Sequence, residues 1–141
     1  MIKRLFISTL FILVVSVSIS YAKQQTPVQM VETFFEMIQK GQISQAYDHL
    51  FVNSSIPTSK PQAVQLLKTQ TKSGLPLYGN ILGYEKIHEE KIGQSIIRLV
   101  YVLKLDLVPT TWEFYFYKPK STWFLANIMF NDQFNLLESK K

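Results

Sequence analysis

Val31, Phe34, Phe35 and Ile38 stand three and four residues apart, the spacing that gathers side chains on one face of a helix. Thr26, Pro27 and Gln29 before them form a capping-box start, and Gly41 after them is a stop that tolerates the left-handed conformation. Ile43, Ala46, Tyr47 and Leu50 repeat the pattern in a second, short helix. Residues 51–59, rich in Asn, Ser and Pro, read as a loop. A third helix is predicted over 60–72, with Pro61 at its start, Ala63, Val64, Leu66 and Leu67 facing inward, and Gly74 and Pro76 ending it. After Gly79 the period changes to two, giving strands at about 81–92, 95–106, 111–118 and 122–131. Three helices followed by an antiparallel four-stranded meander predict an α+β domain, with helices packed on one side of a curved sheet.

The last turn predicts which side. Proline favours the first corner of a type I turn, and such a turn joins two strands best as a three-residue loop. Pro119, Lys120 and Ser121 then form the loop, and Lys118 pairs with Thr122. In that register Trp112, Phe114 and Phe116 share a face with Phe124, Ala126, Ile128 and Phe130, joined by Ile97, Leu99, Tyr101, Leu103 and Leu105. This is the expected core. The opposite face carries Glu113, Tyr115, Tyr117, Trp123, Leu125, Asn127, Met129 and Asn131, with Arg98, Val100, Val102 and Lys104. Lys104 is expected opposite Glu113, a favourable cross-strand pair. A solvated face does not need so many rings and aliphatic groups. Tyr115, Tyr117, Trp123, Leu125 and Met129 are therefore candidate partner-binding residues, and the expected partner is a second copy of the chain or a protein of the cell envelope. The competing expectation is that residues 133–137 fold back over this face.

The first 22 residues change the picture of where the chain works. Lys3 and Arg4 precede an apolar run from Leu5 to Ile19, and Ser20-Tyr21-Ala22 is a small-x-small ending. That is a secretory signal pattern with cleavage expected after Ala22; the run is short and hydroxyl-diluted for a spanning helix. The expected organisation is a signal peptide at 1–22 and one domain at 23–141, exported to the periplasm or outside the cell, with no stable membrane span after cleavage. Without residues 1–22 thirteen basic residues face ten acidic ones, and the basic residues are scattered except for Lys140 and Lys141. That distribution gives no reason to expect a nucleic-acid partner. The chain has no cysteine. Export without disulfides leaves packing alone to hold the fold, so most of the rings are needed as core.

Sites of chemistry are sparse. No HExxH, GxSxG or phosphate-cradling glycine loop is present, so no metal and no cofactor is expected. His49 and His88 have no partner placed by spacing and read as solvated. Glu89-Glu90 reads as a surface pair, and Asn127 and Asn131-Asp132 as caps at the strand end.

The stretch PVQMVETFFEMIQKGQISQAYDHL, with its paired phenylalanines, turn glycine and Ala46-Tyr47, and the end WEFYFYKPKSTWFLANIMFND resemble the NTF2-like superfamily. The resemblance implies a cone-shaped α+β fold with a pocket between helices and sheet, and frequent dimers through the outer sheet face. On this chain Tyr47, Tyr101, Trp112 and Phe114 are the candidate ligand-binding residues for a small apolar ligand. The expected role is a non-catalytic binding or interaction domain. The alternative is a small isomerase or hydrolase, which needs a carboxylate or histidine within reach of Tyr47 or Tyr101.

Overall fold

A computed structural model describes residues 24–134. The expected signal peptide, residues 1–22, and the chain from residue 135 lie outside the described residues. Helix α1 spans Pro27–Gln39. At its start the Gln29 N–H donates to Thr26 Oγ1 and the Thr26 N–H donates to Gln29 Oε1, so two otherwise orphaned donors are satisfied. Its buried stripe is Met30, Val31, Phe34, Phe35 and Ile38. Gly41 takes a positive φ of 73°, and helix α2, Ile43–Leu50, then buries Ala46, Tyr47 and Leu50 against α1.

The expected loop at 51–59 contains a one-turn helix, α3, Ile56–Ser59, which carries Pro57 in its first turn. Helix α4 spans Pro61–Gly74 and runs into a 3₁₀ turn, Leu75–Tyr78. Its inward stripe is Val64, Leu67 and Thr71, while Ala63 and Leu66, expected inside, are exposed. The same rotation buries Thr71, whose hydroxyl lies 2.7 Å from that of Tyr47.

The strands β1 (Ile81–Ile92), β2 (Ile96–Leu105), β3 (Thr110–Tyr117) and β4 (Phe124–Asn131) form one antiparallel sheet in sequence order. The end of β2 is tied to the entry of β1: Asp106 accepts from the Asn80 backbone N–H at 2.6 Å and from Asn80 Nδ2 at 2.9 Å. Gly79 makes this approach possible, since a Cβ there would fall 1.8 Å from Asp106 Oδ1.

The register corrects the sequence reading at two places. Glu113 pairs with Val100 rather than lying opposite Lys104, and Lys104 pairs with Gly83 on β1. At the last hairpin Tyr117 pairs with Phe124 and Phe116 with Leu125, but Tyr115 pairs with Asn127 and Phe114 with Ile128. Ala126 is the extra residue of a β-bulge. The loop is longer than three residues because the Lys118 N–H donates to the Ser95 carbonyl, at the turn between β1 and β2, instead of closing on Thr122. The bulge reverses the sides of the first part of β4 and restores them afterwards. Leu125, placed on the outer face from sequence, is 0% exposed in the core, while Phe124 packs edge-on against Tyr117 and Ala126 is exposed. Trp112, Phe114, Phe116 and Ile128 are buried in the core cluster as expected, and Phe130 packs against it half-buried.

The free edge of β4 is capped at two points. Ser54, from the turn after α2, donates to the Leu125 carbonyl, and Asn127 Oδ1 accepts from the Ile128 N–H.

The bulge makes adjacent residues behave oppositely. Leu125→Ala is expected to cost about 3 kcal/mol of unfolding free energy, and Ala126→Ser less than about 0.5 kcal/mol, in urea denaturation. Equal effects would mean that Leu125 does not sit under the helices.

Candidate functional site

The four residues expected to line an inner pocket, Tyr47, Tyr101, Trp112 and Phe114, are all fully buried. They pack around the two phenylalanines of α1. The Phe34 ring centroid lies 5.1 Å from Tyr47, 5.6 Å from Trp112 and 5.9 Å from Phe114, and Phe35 lies 5.5 Å from Tyr101. Trp112 Nε1 donates to Thr110 Oγ1 at 2.9 Å, which satisfies the indole. The Tyr47 hydroxyl is 2.7 Å from Thr71 Oγ1, so its partner is neutral. Burial pushes the Tyr47 pKa up to about 12, against the opposing pull of that hydrogen bond. The Tyr101 hydroxyl is buried with no hydrogen-bond partner among the described residues. Burial, and then the negative charges of Glu32, Tyr84 and Glu89, raise its pKa. No carboxylate or histidine therefore stands within hydrogen-bond reach of either phenol among the described residues. His49, expected to be solvated, instead has a buried Nε2 with no hydrogen-bond partner among the described residues, and His88 lies 4.0 Å from Glu90 on β1.

The outer face carries a second arrangement. Glu113 on β3 is only 3% exposed. Its Oε2 accepts from Arg98 Nε on β2 at 2.7 Å and from the Tyr115 hydroxyl at 3.2 Å. Arg98 Nη1 also lies 3.5 Å from Glu90 on β1, so one guanidinium bridges three strands. The hydrogen bond to Glu113 is the main cause of a raised Arg98 pKa. The pairing of Arg98 with Glu113 is diagonal, since Val100 stands directly opposite Glu113.

Beside this ion pair is an open depression of about 360 Å³, lined by Ile96, Tyr115, Tyr117, Ala126, Asn127 and Met129, with Phe116 at its base. Of the five residues expected to bind a partner, Tyr115, Tyr117 and Met129 line it. Trp123 sits instead at the hairpin turn, packed against the core with Lys118 Nζ 4.8 Å from its ring centroid. Leu125 is in the core. Ala126 belongs to the depression and escaped the sequence reading, because an unbroken alternation turns it inward. A second depression, of about 380 Å³, runs along the polar side of α1 past Gln25, Gln29, Glu32, Thr33 and Glu36.

Among the described residues no helix is long and apolar enough to cross a membrane, and no three His, Cys, Asp or Glu residues gather as a metal site. Comparison with protein-family models, with curated proteins and with solved structures finds no match to the chain. The class defined by fold and surface is thus an α+β domain with a closed ring-packed interior and an open apolar depression on its outer sheet face.

Arg98→Ala leaves a nearly buried carboxylate with Tyr115 alone. It is expected to lower stability by about 2–3 kcal/mol in urea denaturation, and adding Glu113→Gln should recover part of the loss. The two inner tyrosines should separate: Tyr47→Phe is expected to cost about 1 kcal/mol, and Tyr101→Phe nothing. The raised pKa of Tyr47 contributes stability that is complete below the ordinary phenol pKa near 10 and is lost as pH rises through about 12. Unfolding free energies measured from pH 9 to 12 should therefore fall more steeply for the wild-type chain than for Tyr47→Phe.

Proposed function

We propose that the chain is an exported, non-catalytic interaction domain that pairs with a second copy of itself through the outer sheet face. The observation that carries this reading is the depression formed by Tyr115, Tyr117, Ala126 and Met129, where Met129 is 43% exposed beside an ion pair that satisfies its own charges. Exposed apolar groups next to charges that need no further partner suit a protein contact better than a polar ligand site. The resemblance to the NTF2-like superfamily supports the same surface, since it implies dimers through that face. Export, to the periplasm or beyond the cell, rests on the signal pattern of residues 1–22.

A second reading, a small apolar ligand between helices and sheet, is favoured by one observation: the buried Tyr101 hydroxyl has no hydrogen-bond partner among the described residues. An isomerase or hydrolase activity would need a carboxylate or histidine within hydrogen-bond reach of that hydroxyl, and none stands there among the described residues.

Native mass spectrometry of the chain purified from its own envelope reads all three points together. The expected spectrum is a dimer whose subunits lack residues 1–22 and carry no added mass. A retained small molecule would favour the second reading. Met129→Lys places a charge in the contact and is expected to weaken the dimer at least about tenfold, or about 1.4 kcal/mol, in sedimentation. Leu66→Lys, on the exposed side of α4, is the control expected to leave it intact. A strictly monomeric wild-type chain at high concentration would remove the dimer reading.

A further inference from the structure

We propose that Asn127 and Tyr115 specify how two copies of the chain pair: the Asn127 side-chain amide of each copy donates to the Tyr115 hydroxyl oxygen of the other. This deepens the function proposed above and rests on that reading.

Tyr115 and Asn127 are register partners on β3 and β4, beside the bulge at Ala126. Tyr115 alternates with the inward Phe114 and Phe116, so both partners face outward, and both line the depression. Asn127 Oδ1 accepts from the Ile128 N–H at 2.9 Å. Only the amide oxygen can accept there, so this bond also fixes which end of the side chain is Nδ2. Among the described residues Nδ2 has no acceptor of its own. Tyr115 gives its hydroxyl proton to Glu113 Oε2 at 3.2 Å, which leaves its oxygen a lone pair for a further donor. The face therefore holds an unused donor and an unused acceptor on directly opposed residues of adjacent strands.

A surface that carries both halves of a hydrogen bond is complementary to itself, which is what a two-fold contact requires: residue i meets residue j, and j meets i. A two-fold axis lying between the sheets along the β3–β4 seam keeps the strands of the two copies aligned. It places Asn127 of one copy over the partner's Tyr115, and Tyr115 over the partner's Asn127. Face-packed sheets stand about 10 Å apart, a gap that a tyrosine and an asparagine side chain span end to end. Met129, two residues further along β4 and opposite Glu113, then packs on the partner's β3, where the Glu113 charge is already met by Arg98. A wholly apolar partner would instead bury the Asn127 donor unmatched, at the cost of its lost hydration. The second copy is thus the occupant whose polar groups fit.

The test mixes two full-length variants. Tyr115→Phe removes the acceptor and leaves the Arg98–Glu113 ion pair in place. Asn127→Ala removes the donor and leaves the Ile128 N–H, at the sheet edge, to water. Both changes are neutral, so no new charge biases the pairing, and neither touches the buried ring cluster. In a dimer of either variant alone, both cross-copy bonds are broken. In a mixed dimer one bond is intact, because the first variant's Asn127 meets the second variant's Tyr115. Each variant alone is expected to associate roughly tenfold more weakly than the wild-type chain in sedimentation. Native mass spectrometry of the mixture, with one variant isotope-labelled, should show the mixed dimer favoured at least about fivefold over its statistical share. A statistical mixture overturns the proposal and leaves the dimer reading standing if the wild-type chain still pairs. A wild-type chain that stays monomeric overturns both.

Discussion

Two neighbouring phenylalanines join the helical layer to the sheet. Phe34 meets Tyr47 on α2 and Trp112 and Phe114 on β3, and Phe35 meets Tyr84 on β1, Tyr101 on β2 and the same two rings of β3. Most of these contacts are edge-on or tilted, the arrangement that ring quadrupoles favour, and each contributes about 0.5–1.5 kcal/mol beyond simple burial. With no cysteine to tie the layers, this cluster sets the position of α1 across three strands. The same packing closes the space between helices and sheet at the level of Trp112. The interior is spent on cohesion, and the surface that stays open is the other side of the sheet.

On that outer side a charged group is used to make a quiet surface. Glu113 would be costly to bury alone, but Arg98 and Tyr115 supply the donors it needs, and Glu90, 3.5 Å from Arg98 Nη1, gives the guanidinium a second counter-charge. The network binds β1, β2 and β3 together in one register, where a slip would strand the carboxylate. It also leaves Tyr117, Ala126 and Met129 as the features of the face that are still open to contact.

Much of this was legible along the chain. The capping box at Thr26, the stripe through Phe34 and Phe35, the period change after Gly79 and the alternation through Trp112, Phe114 and Phe116 each depend on local rules, and each stands where those rules put it. The misplacements came from long-range choices. Leu66 is exposed on a helix turned so that Thr71 meets Tyr47, two residues 24 positions apart in sequence. Leu125 and Ala126 exchange sides because Lys118 bonds to Ser95 across the sheet and a bulge takes up the difference. The Arg98–Glu113 pair has the parity expected of a Lys104–Glu113 pair but lies further along β2, since parity can be read from a turn and the absolute slide of one strand past another cannot. Three of the expected contact residues share the depression, and the two that do not, Trp123 and Leu125, both lie on the hairpin side of the bulge.

The two caps on the β4 border have a consequence for how copies of the chain can assemble. An antiparallel sheet with bare margins is a template for open-ended growth, each added copy exposing a fresh margin for the next. Here the Ser54 hydroxyl and the Asn127 side-chain oxygen occupy backbone groups that an incoming strand would need, and the opposite margin along β1 bears Glu85, Lys86, Glu89, Glu90 and Lys91. Lateral polymerisation is discouraged at both borders, so any self-association that uses the sheet is steered towards a closed, face-on pair.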